Sequence, residues 1–167
     1  VRGLGRPERG RARVHVDRRH EGPHDDGCAG VAKLVEGDIG RASSIKMIRS
    51  IMMKGLEALV LECVLSGRKA GVDDEVLSSL DVTYPGFDWK GKSAYMMERA
   101  LTHGRRRASE MREVAKTVEE LGFPPKMAEA TVFWEQFAAD LEIDASVMPV
   151  DDYGVIADAI LDRKPSP

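Results

Sequence analysis

The sequence predicts an all-α fold: a helical bundle built around one long central helix and preceded by an irregular leader. Three observations predict it. Apolar residues recur at steps of three and four through most of the chain after position 43. Only 5% of the 167 residues are aromatic, while eight Met accompany abundant Ala, Leu and Glu, a helix-forming mixture. The 43% hydrophobic and 32% charged content allows one domain with a real core and a well-solvated surface.

The leader comes first. Residues 1–36 hold eight of the 25 basic residues and six of the 28 acidic ones, leaving 17 against 22 in the remainder. Up to His24 there is no period of 2 or 3.6, and a stretch of Gly, Arg, Pro and His with isolated valines buries too little to offset its ordering entropy. Residues 1–36 are therefore expected to be irregular or disordered, and residues 37–167 to form the helical domain. The same composition also arises when a G+C-rich gene is read in a wrong frame or from a wrong start, so the leader is not necessarily native to the fold. His15, His20 and His24 with Asp25 and Cys28 supply metal-ligand types. Gly22 and Pro23 break any helix that would align them, and the spacing matches no zinc pattern, so no metal is expected.

The elements follow in order. Val31–Val35 alternates weakly and fits a short strand. Ser43 or Ser44 opens a helix carrying Ile45, Ile48, Met52, Leu56, Leu59 and Cys63 on one stripe, reaching about Ser66 with Gly67 as its stop. Some 24 residues give about 36 Å, long enough for the central mast. Asp73 or Asp74 caps a short helix through Leu80. Pro85 and Gly86 make a turn, and Asp88 caps a helix expected to end near His103-Gly104. Arg105–Leu121 forms the next helix, ended by Gly122 and two prolines. Lys126–Asp140 is helical with Met127, Ala130, Thr131, Trp134 and Phe137 inward, and Asp151–Leu161 is the last of about six helices.

Several function classes are excluded at this stage. A net charge of −3 gives no reason to expect nucleic acid. The most apolar run, Ile51 to Leu65, is interrupted by Lys54, Glu57 and Glu62 and does not span a bilayer. Cys28 and Cys63 are too far apart to form a CxxC pair. A cytoplasmic protein is expected.

Two places fit packing poorly. Gly37-Asp-Ile-Gly40 precedes a helix whose first turns carry Arg41, Lys46 and Arg49, with Ser50 beside them. Free N–H groups at that end favour an anion. Each cation there opposes the helix dipole at a cost of about 0.3–1 kcal/mol, which an acidic ligand would offset. The other place is His103-Gly-Arg-Arg-Arg107-Ala-Ser-Glu110, where Glu110 follows Arg106 and Arg107 in the less favourable order, so helix stability does not explain the cluster.

These two runs carry a family resemblance. Gly37-Asp-Ile-Gly-Arg-Ala-Ser-Ser-Ile-Lys46-Met-Ile-Arg-Ser50 resembles the substrate-site helix of the β-hydroxyacid dehydrogenases, the superfamily of 3-hydroxyisobutyrate and 6-phosphogluconate dehydrogenases. Met97 to Met111 and Pro124-Pro-Lys-Met-Ala-Glu-Ala130 are similar to the 6-phosphogluconate-dehydrogenase-like family with a DUF1932 C-terminal region. The likeness covers about residues 31–161. It implies the C-terminal substrate-binding and dimerising helical domain of an NAD- or NADP-dependent oxidoreductase acting on a CH–OH group, with a small acidic hydroxyacid as substrate and a homodimer as assembly. It further implies Lys46 as the acid/base for the hydroxyl. Gly37, Gly40, Arg49, Ser50, His103, Arg106, Arg107 and Glu110 are the implied substrate-binding residues. Ser50 stands where the family usually has Asn. No strand–Gly-x-Gly-x-x-Gly–helix unit occurs, because Gly3-Leu-Gly5 has no strand before it and Pro7 and Gly10 spoil the helix after it. The chain alone is therefore expected to bind no dinucleotide and to be inactive. The alternative is a non-catalytic helical interaction module.

Overall fold

The computed structural model describes residues 40–149 and 151–163. The leader, the strand expected at 31–35 and Gly37 lie outside the described residues. The chain divides into two units, residues 1–46 and 47–167. Of the first unit, the described residues are Gly40 and the opening turns of a helix. There Gly40, at φ +100°, accepts the Ser44 N–H at 2.9 Å. The helix thus starts two to three residues before the serines expected to cap it.

Every regular element among the described residues is helical: α1 Arg41–Ala70, α2 Asp73–Thr83, α3 Trp89–Glu120, α4 Lys126–Asp140, a single 3-10 turn Ala145–Val147, and α5 Tyr153–Arg163. The all-α expectation and the long central helix hold, with five α-helices in place of about six. α1 runs past Gly67 to a stop at Gly71, whose φ of +72° lets Val72 N–H reach back to the Gly67 carbonyl at 2.9 Å. Gly67 instead meets α2, since a Cβ there would lie 3.1 Å from the Asp73 Cα. Asp73 is not a cap. It is buried and accepts from Arg68 at 3.2 Å, and Arg68 also pairs with Asp158 of α5 at 2.6 Å. The expected stop after Glu120 is present, with Gly122 at φ +85°, and the Asp88 side chain does cap α3 through the Gly91 N–H.

The break expected at His103-Gly104 is absent, and α3 is one helix of 32 residues. Gly104 serves helix packing. A Cβ on it would fall 2.3 Å from the Glu135 carbonyl oxygen, so α3 and α4 cross here with no room for a side chain. The main core gathers Leu61 and Val64 of α1, Leu77 of α2, Met97 and Ala100 of α3, Ala138 of α4, and Ile156 and Ile160 of α5. A second cluster joins Met111 and Val114 to Ala128, with Met47, Ile51 and Val132 packed against it.

Two helices are turned about one residue from their expected faces. On α1 the buried positions are Ser50, Glu57, Ala58, Leu61, Val64 and Leu65. Ile45, Ile48, Met52 (71%) and Leu59 (55%), expected inside, are exposed. On α4, Thr131 is buried as expected and Trp134 and Phe137 pack against the core, but Ala128, Glu135 and Ala138 are buried too, whereas Met127 and Ala130 are exposed. The close crossing at Gly104 selects small side chains on α4, and each helix spends one inward position on a glutamate.

Overpacking a fitted site costs about 1–3 kcal/mol. Gly104→Ala is expected at the upper end of that range by urea unfolding, whereas Leu121→Ala, at an exposed position, should stay within about 0.5 kcal/mol.

Candidate functional site

A polar seam runs through the bundle where α1, α3 and α4 meet. Ser50, Lys54 and Glu57 stand at i, i+4 and i+7 on α1, which places them on one face. The same rule groups His103, Arg106, Arg107 and Glu110 on one side of α3. Glu135 enters from α4.

The inner half is a buried ionic group. Arg107 donates to the Glu57 carboxylate and lies 3.8 Å from Glu135 Oε1. All three side chains are buried, and Glu135 is 0% exposed with neither carboxylate oxygen hydrogen-bonded. Burial pushes the Glu135 carboxyl up to about 7, with Arg107 and Lys54 opposing the rise. Burial also lowers the Arg107 pKa from its usual value, while Glu135 and Glu110 counter this.

The outer half is a chain of shorter contacts. Lys54 Nζ donates to Ser50 Oγ at 3.3 Å and pairs with Glu110 Oε2 at 3.0 Å. Glu110 Oε1 accepts from Arg106 Nη1 at 2.7 Å. Burial raises the Glu110 pKa, but Lys54 and Arg106 outweigh it and hold that carboxyl below its ordinary range.

The structure therefore joins four of the residues singled out in the sequence, Ser50, Arg106, Arg107 and Glu110, in one network. Arg107 faces inward onto Glu57 and is not open to solvent, which commits its guanidinium to partners inside the bundle. Glu110 takes Arg106 and leaves Arg107 to the interior. Arg49 is exposed on α1, His103 is half-buried on α3, and Lys46 and Gly40 are exposed in the unit of residues 1–46. Gly37 lies outside the described residues.

Sequence reasoning missed Lys54, Glu57 and Glu135. The signal was present for the first two, since both interrupt the apolar run Ile51–Leu65 on the side that carries Ser50. Glu135 gave none, because it sits between Trp134 and Gln136 as a solvated residue would. Glu62, the third interruption, accepts the Trp134 Nε1–H at 2.9 Å.

Among the described residues no group of His, Cys, Asp and Glu fits a metal ion, and no helix is long and apolar enough to cross a membrane. Nor do these residues fit a dinucleotide. They include no strand and no glycine-rich strand-to-helix turn to receive a pyrophosphate.

The Glu135 carboxyl makes stability depend on pH with a defined sign. The native state keeps a proton that the unfolded chain releases near 4.5. Its contribution is fully present below about pH 4.5 and is lost as pH rises through about 7. The unfolding free energy of the wild-type chain, less that of Glu135→Gln, should therefore fall across this window. A difference that is flat or rising would show that Glu135 does not hold the proton.

Comparisons with known proteins agree with this architecture. Residues 68–137 match the family model described as a domain of unknown function, DUF1932. An uncharacterised 28.5 kDa protein of Methanothermus fervidus, from the 7S RNA 5′ region, is 30% identical over 99 residues, which is 59% of this chain and 39% of that protein. The crystal structure of a conserved hypothetical protein from Sinorhizobium meliloti 1021 matches with TM-score 0.72 and 36% identity over 79% of this chain and 44% of that one. The conserved protein MTH1747 matches with TM-score 0.56 and 29% identity over 64% of this chain and 40% of that one. MTH1747 is described as structurally similar to 3-hydroxyacid dehydrogenases. The chain thus spans less than half the length of these relatives. The chain is thus similar over residues 68–137 to DUF1932, and over most of its length to proteins of which one, MTH1747, has the described likeness to 3-hydroxyacid dehydrogenases.

Proposed function

We propose that this chain is the substrate-binding and dimerising domain of an NAD- or NADP-dependent, cytoplasmic oxidoreductase that acts on the CH–OH group of a small acidic hydroxyacid. One observation carries the reading: a bundle related to proteins of hydroxyacid-dehydrogenase architecture carries at its α1–α3 contact a partly open seam of paired charges. Apolar packing alone does not call for such a seam.

In this reading Lys46 accepts the proton of the substrate hydroxyl. A positioned base of this kind contributes about 10²–10⁴ in rate. Ser50 orients the hydroxyl-bearing carbon with a shorter reach than Asn, favouring a compact substrate. Arg49 and Arg106 draw the acid group, since guanidinium binds carboxylate in a fixed fork. Gly37 and Gly40 complete the proposed substrate-binding set, His103 and Glu110 border the seam, and Arg107 braces it from inside. NAD or NADP is bound by a nucleotide-binding domain that these residues do not form, so the chain by itself binds no dinucleotide and turns over no hydroxyacid.

The outward face of α1 supports the dimerising role. Ile48, Met52, Met53 and Leu59 are all exposed, an apolar row that a second subunit would cover. That same row favours the second reading, a non-catalytic interaction module.

In the chain joined to its nucleotide-binding domain, Lys46→Ala should lower turnover at least about 100-fold. The urea midpoint should stay unchanged, because Lys46 is exposed. Unchanged turnover would favour the interaction module. Met52→Glu should shift sedimentation from dimer to monomer at micromolar concentration, and a dimer that persists would place the interface elsewhere.

A further inference from the structure

We propose that Lys54 and Arg106 form a two-cation clamp for the carboxylate of a small acid, and that Glu110 is its built-in competitor, filling the clamp when no acid is bound. The proposal rests on the oxidoreductase reading for the acid's identity, and on geometry for the clamp.

The Glu110 carboxylate already shows what the clamp holds. One oxygen meets an ammonium from α1 at 3.0 Å and the other a guanidinium of α3 at 2.7 Å, so the two cations grip a single carboxylate from two helices. The assembly grades from inside to outside. Ser50 is buried, the Lys54 side chain is 15% exposed, Glu110 37% and Arg106 59%. Arg106 is thus the most accessible of the four and Ser50 the least. Glu110 is more exposed than Lys54, and swinging its carboxylate into water would vacate the clamp.

Stability gives little reason for the arrangement. The Arg106–Glu110 order is the weaker of the two helical pairings. Placing an ammonium between packed helices costs desolvation that an apolar side chain would avoid, and replacing such buried charges by apolar groups is often neutral or stabilising.

The test is an NMR titration of this chain with 3-hydroxypropanoate at pH 7 and constant ionic strength, with inorganic phosphate as the comparison anion. Amide shifts centred on Ser50, Lys54, Arg106 and Glu110 are expected. Glu110→Gln should bind about tenfold more tightly, and Lys54→Met should bind at least as much more weakly than wild type. Shifts centred elsewhere overturn the proposal, as does an unchanged affinity in Glu110→Gln. Equal affinity for phosphate overturns the preference for carboxylate. Should Lys54→Met fail to fold, Glu110→Gln decides alone, since it removes charge without changing shape. If the clamp binds while Lys46→Ala leaves turnover of the joined enzyme intact, the oxidoreductase reading fails and the clamp stands. If turnover depends on Lys46 and the clamp does not bind, the reverse holds.

Discussion

Arg107 is the group around which the three central helices are arranged. Its guanidinium is taken out of water and given a carboxylate from α1, with a second carboxylate from α4 beside it. Removing one partner from such a group typically costs about 3–5 kcal/mol, because the charge left behind stays buried. The arrangement therefore tolerates little rotation of any of the three helices. Glu57 fixes which side of α1 faces inward, and Glu135 does the same for α4. The Gly104 crossing, one turn before Arg107, brings α4 close enough for Glu135 to be enclosed.

The same constraint shows why the sequence was readable in some places and misleading in others. Helix existence followed from periodicity and from stops such as Gly122 followed by Pro124 and Pro125, which act locally. Which face of a helix points inward is a tertiary property. On α1, counting large apolar residues selects Ile45, Ile48, Met52 and Leu59. The buried face instead contains Ser50, Glu57 and Ala58, positions that hydrophobicity alone assigns to solvent. α4 repeats the pattern with Ala128 and Glu135. Gly104 misled for a related reason. A glycine chosen for a close helix crossing and one chosen to end a helix look alike until the neighbouring helix is known.

Of the candidate site, the charged residues of α3 were legible and their wiring was not. Arg106, Arg107 and Glu110 stood out because their order along the helix made poor sense locally. Nothing local marks that Arg106 turns outward to Glu110 while its neighbour turns inward to Glu57, a partner 50 residues away. Consecutive arginines on a helix point about 100° apart, so one serves the interior and the other the solvent-facing edge. The seam thereby has an inner half closed within the bundle and an outer half that reaches solvent.

The uninterrupted course of α3 has a consequence for how the chain can vary in length. One extra residue anywhere between Trp89 and Arg106 would turn everything beyond it by about 100°. That turn would carry Arg107 away from Glu57 and aim its neighbour into the bundle. It would also move Gly104, or its replacement, off the crossing with α4. Insertions and deletions should therefore be tolerated best in the connections outside the helix, such as residues 84–88 and 121–125, which makes the spacing from Trp89 to Glu110 a ruler for the domain.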